Sequence, residues 1–182
     1  MRRRPAAVVA GLILALAPGA ALAEKVSEKE LIARTTLDPA ERARREAGVA
    51  AMTPEQQGEA MTALVSDRTI IYFQQGHGVY VEYTSADGRL FMWYPRNGGV
   101  VRGTWGLRTM DGPKLCYQYR NAVHGVTGEY EPNECISPEQ MLNGESVLAS
   151  RSGDPFGLAQ GTIPYPKSPR DVPEWPASAE GS

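Results

Sequence analysis

The chain has 182 residues, 42% hydrophobic and 22% charged, which suits one domain with flanking segments and is too apolar for a disordered chain. A formal net charge of −2 excludes a strongly basic nucleic-acid binder, and two His with two Cys exclude most multi-ligand metal sites.

Residues 1–23 read as a signal peptide. Arg2, Arg3 and Arg4 make a positive start, and residues 6–17 form an uncharged, mostly apolar stretch. Pro18-Gly19 breaks it, and Ala21-Leu22-Ala23 fits small-x-small cleavage before Glu24. The stretch is too short to cross ~30 Å of hydrocarbon, so no stable membrane anchor is expected after cleavage. Removing these residues takes three arginines and no acid, which moves the net charge from −2 to −5. The expected compartment is the periplasm or the exterior, and no long-range attraction to nucleic acid or anionic lipid is expected.

Residues 24–65 read as a helical N-terminal segment. Ser27 with Glu30, Asp38 before Pro39, and Thr53 before Pro54 are three helix starts. The stretch from Pro39 to Met52 is rich in Ala, Arg and Glu, with a thin apolar face that predicts weak packing. The next helix offers Met61, Leu64 and Val65 as a docking face.

From Thr69 the hydrophobic period falls to two. Residues 69–73 are β-branched and aromatic, Gly76-His77-Gly78 turns the chain, and Val79, Val81 and Tyr83 alternate with Tyr80, Glu82 and Thr84. Asp87-Gly88 predicts a hairpin into residues 90–94, and Asn97-Gly98-Gly99 ends that strand. Val101, Gly103, Trp105 and Leu107 alternate with Arg102, Thr104, Gly106 and Arg108, which predicts a buried Trp105. Asp111-Gly112 leads to a fifth strand through Leu115, Tyr117 and Tyr119. Five strands joined by tight turns make an antiparallel meander, which must curl or close to protect its edges.

Cys116 lies in the fifth strand and Cys135 follows a polar loop; in an oxidising compartment the pair reads as a disulfide. Residues 137–140 could start a helical turn, and residues 144–148 could be a last strand or a docked loop. The β domain is placed at residues 66–150. Beyond it, residues 151–182 read as an extended Pro/Gly-rich tail, with Trp175 loosely packed among prolines and Phe156, Leu158 and Ile163 able to tuck against the domain. The fold class is therefore α+β: a helical segment, a small antiparallel meander or partly closed barrel with one disulfide, and a tail.

The chemistry is sparse. His77 and His124 lack a correctly spaced third metal ligand, and neither a nucleophile elbow nor a phosphate loop occurs. No catalytic residue, metal or cofactor is assigned. Tyr80, Tyr83, Phe91, Trp93, Tyr94, Trp105, Tyr117 and Tyr119 crowd about 40 residues, and they either fill a small core or in part line a recognition surface. On the second reading Trp93 and Arg102, with Tyr80 third, are the candidate binding residues, since Trp and Arg concentrate binding energy.

The run from Leu64 to Cys135 resembles a domain of small, secreted, uncharacterised bacterial proteins. The likeness rests on Asp67-Arg68-Thr69-Ile70, Tyr83 with Ala86-Asp87-Gly88-Arg89, Gly103-Thr104-Trp105, and Asp111-Gly112 leading into Leu115-Cys116. It implies fold and compartment but no activity. More loosely, the chain is similar to calycin-type β-barrels, which include periplasmic inhibitors of metalloproteases. The expected role is a periplasmic binding or interaction module for an unknown protein or a small apolar ligand. The alternatives are an enzyme whose site no motif reveals, and a calycin-like protease inhibitor.

Overall fold

Each helix begins where a short polar side chain can accept a backbone N–H. In the computed structural model, which describes residues 23–94, 97–120, 122, 133–163 and 168–176, Ser27 caps α1 (Glu28–Thr35) and Asp38 caps α2 (Pro39–Ala50). Thr53 and Gln56 make a full capping box for α3 (Pro54–Val65), and Ser137 with Gln140 makes another for α4 (Pro138–Leu142). The expected export signal, residues 1–23, lies outside the described residues apart from Ala23.

The alternating run folds as five consecutive antiparallel strands: β2 (Arg68–Gln74), β3 (Gly78–Thr84), β4 (Arg89–Trp93), β5 (Val101–Arg108) and β6 (Lys114–Arg120). β7 (Asn133–Ile136) pairs outside β6, and β8 (Val147–Ser152) pairs with the far edge at β2, so the order is β7-β6-β5-β4-β3-β2-β8. Cys116 and Cys135 face each other across β6 and β7 and form the disulfide. Asp111 and Gly112 both have positive φ, as the tight turn between β5 and β6 requires. β1 (Ala23–Lys25) pairs with β9 (Asp171–Pro173) in a separate two-stranded ribbon.

The seven-stranded sheet is a half-barrel, and one hydrogen bond shows its curvature. The Tyr119 hydroxyl of β6 donates to the Glu82 carboxyl of β3 at 3.2 Å. These strands are three intervals apart, about 14 Å in a flat sheet, so side chains standing off a flat sheet could not meet. Gly103 permits the close approach of β5 and β6 at the bend: a Cβ there would collide with the Gln118 carbonyl oxygen.

Each face of the sheet is covered in part, while the outer side of β5 and β6 stays largely exposed. On the outer face Ile71, Phe73, Val79, Val81, Phe91 and Trp93 pack with Val26 and Leu31 from the N-terminal side and Phe156 and Leu158 from the C-terminal side. On the concave face Ile70, Leu90, Leu115 and Tyr117 pack under Met61 and Val65 of α3, with Met141 and Leu142 of α4 alongside. α2 buries only Val49, as its thin apolar face predicts.

Three expectations need correction. Leu64 is exposed, because α3 docks through Gly58, Met61 and Val65, one step per turn, and Leu64 falls on the rim. Trp105 is half-buried; its indole N–H donates to the Ser85 carbonyl at 2.9 Å, and Leu107 beyond it is exposed. Trp175 is packed: its ring stacks on Phe156 at 5.2 Å and carries the Arg151 guanidinium at 5.0 Å.

Candidate functional site

Strand alternation sends Tyr72 of β2, Tyr80 and Glu82 of β3, and Tyr117 and Tyr119 of β6 to the concave face. α3 and α4 pack over Ile70, Leu90 and Leu115 on this face. Glu82 is the direct cross-strand partner of Ile70, Tyr80 that of Tyr72, and Tyr72 and Tyr119 pack at the margin of the same cluster. The Tyr72 and Tyr80 rings stack at 5.0 Å, Tyr80 meets the edge of Tyr94 at 6.3 Å, and Tyr117 stacks with Tyr119 at 6.1 Å. Tyr94 in turn donates to the His77 carbonyl at 2.8 Å, which ties the β4 end to the turn between β2 and β3.

Glu82 is the centre of this group. It is 4% exposed, and no cation pairs with it among the described residues. Burial pushes its carboxyl up to about 8, against a hydrogen bond from Tyr119 that favours the anion; the charge of Glu134 adds to the rise. At neutral pH the group is therefore mostly protonated, a donor as well as an acceptor. The same lack of water raises the phenols of Tyr72, Tyr80, Tyr117 and Tyr119 above their ordinary value, so all four stay neutral. Tyr72, Tyr80 and Tyr119 are only half-buried, so the group reaches the surface through phenol edges. The result is a neutral, aromatic, hydrogen-bonding surface with one protonatable carboxyl at its base.

The three residues read from the sequence as a binding set do not form one patch. Trp93 and Arg102 share the outer face, where Arg102 faces Phe91 across the β4–β5 pair. Trp93 has no accessible surface, because chain from both ends of the molecule covers that part of the face, so it supplies core packing and no contact area. Arg102 is exposed on the neighbouring strand β5 and lines an open cleft with Arg120. Tyr80 lies on the opposite, concave face beside Glu82. In sequence Glu82 reads only as the polar partner in an alternating strand; the tyrosines that alternate onto its own face are the signal that could have found it.

Among the described residues no group of three or more His, Cys, Asp or Glu could hold a metal ion. His124 lies outside the described residues. No helix among them is long and apolar enough to cross a membrane. No family model matches the chain, and neither a curated protein nor a solved structure is found to match it.

Proposed function

We propose that the chain is a secreted binding module that takes a small, uncharged ligand on its concave sheet face, around Glu82 and the half-buried tyrosines beside it. The observation that carries this reading is a buried, mostly protonated carboxyl surrounded by half-exposed tyrosines. Buried polar groups are costly unless they serve packing or a partner, and a concave aromatic surface with a few polar groups is the usual make-up of a small-molecule site. A neutral carboxyl offers a donor and an acceptor but little attraction for a cation. Stacked phenols suit a flat ligand, such as a sugar ring or a polar aromatic. Export to the periplasm is supported by the leader-like residues 1–23 and by the Cys116–Cys135 disulfide. The likeness to small secreted bacterial domains agrees with this compartment.

The enzyme reading has one observation in its favour. Glu134 lies within electrostatic range of Glu82, and a raised carboxyl beside a second one is a common acid–base arrangement. The inhibitor reading needs a free N-terminal arm, whereas Ala23–Lys25 is paired with Asp171–Pro173 and α1 packs on the sheet.

Mass spectrometry of small molecules released from the exported protein identifies the ligand. Tyr80→Ala and Glu82→Gln should each weaken its binding about tenfold or more while the protein stays folded, as expected for buried hydrogen-bond and stacking partners. Unchanged affinity in both variants would place the ligand elsewhere. Turnover of the ligand that Glu82→Gln abolishes would favour the enzyme.

A further inference from the structure

A second site lies on the outer face, away from Glu82. Arg102 and Arg120 are direct partners across the β5–β6 pair, with side chains on the same face. Cross-strand partners have Cβ atoms about 5 Å apart, and like charges in that position destabilise a sheet. Both arginines are exposed, and neither makes a hydrogen bond or an ion pair among the described residues. By contrast, Arg34, Arg42, Arg44, Arg45 and Arg89 each pair with a carboxylate, and Arg151 sits over an aromatic ring.

The pair does not stand on a flat surface. It flanks an open cleft of about 360 Å³ whose other lining residues are Asn97, Gly98, Gly99, Val100 and Val101. A Cβ added to Gly98 or Gly99 would meet nothing, so the space over that turn is open. Among the described residues no carboxylate lines the cleft.

We propose that Arg102 and Arg120 form a binding site for a phosphate group, free or carried by a small phosphomonoester, seated in the cleft beside residues 97–101. Two guanidinium forks match the charge of a phosphate dianion and can each donate two parallel N–H bonds to it, a geometry that lysine does not provide. Binding offsets the repulsion within the pair, which explains two unpaired arginines held face to face. The chain without residues 1–23 carries a net charge of −5, so its long-range field repels anions. Affinity must then come from these local contacts.

A natural control is present in the same hairpin. Arg108 and Lys114 are also cross-strand partners on this face and also exposed, at the other end of the β5–β6 pair, and they line no part of the cleft. The test is thermal unfolding and isothermal titration of the mature protein at low ionic strength, with inorganic phosphate, glycerol phosphate, or sodium chloride at matched ionic strength. Saturable 1:1 binding with a Kd of about 1 mM or tighter is expected for at least one of the two phosphates. It should raise the melting temperature by mass action. Arg102→Gln and Arg120→Gln should each weaken binding about tenfold or more, the usual loss for a hydrogen bond to a charged group. The double variant Arg108→Gln with Lys114→Gln should bind as the parent does. Both arginines are exposed, so the variants fold, and relief of the like-charge contact leaves their own melting temperature unchanged or higher. Absence of saturable binding, an equal response to chloride, or an equal loss in the Arg108/Lys114 control would each overturn the proposal. The last result would mean diffuse surface charge and no built site.

Discussion

Both faces of the central sheet are covered over β3 and β4, yet they are made of different material. On the outer face the β3 and β4 residues are Val79, Val81, Phe91 and Trp93, closed off by segments from both ends of the chain. On the concave face the same two strands contribute Tyr80, Glu82, Thr84 and Leu90, and β6 adds Tyr117 and Tyr119. Over these two strands the buried outer face is chiefly apolar. The other includes a carboxyl at the cost of desolvation, with a hydrogen bond from Tyr119 as partial compensation. Strand alternation, then, tells which residues share a face; it does not tell which face meets water.

The comparison is tested most severely on the outer face. Trp93→Ala should destabilise the protein by about 3–5 kcal/mol, the loss for a fully buried large aromatic. Arg102→Ala on the same face should change stability by less than about 0.5 kcal/mol, since exposed substitutions are usually near neutral. Equilibrium denaturation in urea reads both. Similar small effects for the two would mean that the covering segments do not close over β4.

On the concave face the sharpest probe is pH. The Glu82 carboxyl is raised from its ordinary 4.5 to about 8, so the folded state holds a proton that the unfolded state releases. Its contribution is therefore fully present below pH 4.5 and is lost as pH rises through 8, at up to about 1.4 kcal/mol per pH unit between those limits. Glu82→Gln should remove this fall and be more stable than the parent at pH 9, by a few kcal/mol. Parallel stability curves for the two proteins from pH 5 to 9 would show that Glu82 titrates as an exposed acid. A smaller structural effect concerns the edge. Reducing Cys116–Cys135 opens a link across 19 residues and should cost about 3 kcal/mol at most, with hydrogen exchange rising first in β7.

Much of this architecture can be read in the sequence because its signals are local. Ser27, Asp38, Thr53 and Ser137 mark helix starts through side chains that bond within three residues. Asp87-Gly88 and Asp111-Gly112 mark hairpins through backbone angles that few residues adopt. The signals fail where contacts are distant. β8 pairs with β2 across about 80 residues and β1 with β9 across about 150, and three-residue strands carry too little pattern to announce a partner. Trp93 looks accessible in sequence for the same reason: its covering residues, Leu31 and Leu158, lie more than 60 positions away on either side. Glu82 escapes a sequence reading because polar residues in an alternating strand ordinarily face water. Only the curl of the sheet, set in part at Gly103, brings Tyr119 across to it.

The finest test isolates that single cross-sheet contact. Tyr119→Phe removes one hydroxyl and keeps the ring that stacks with Tyr117. The lost hydrogen bond favoured the charged form of Glu82, so its removal should raise the carboxyl further above about 8. The stability cost should be about 1 kcal/mol or less at pH 6, where Glu82 is protonated in both proteins, and larger at pH 9. Carbon-detected NMR of the Glu82 carboxyl gives the titration directly, and paired denaturation curves at the two pH values give the energies. An unchanged titration in Tyr119→Phe would mean that the bond is not made in solution and that the sheet is flatter than its side chains imply. The double variant Tyr119→Phe with Glu82→Gln completes the cycle. If Tyr119→Phe costs the same in the Glu82→Gln background at both pH values as it does in the parent, its effect is packing. If the extra cost at pH 9 disappears there, the hydroxyl acts through the carboxyl, and the polar face is held together by that bond.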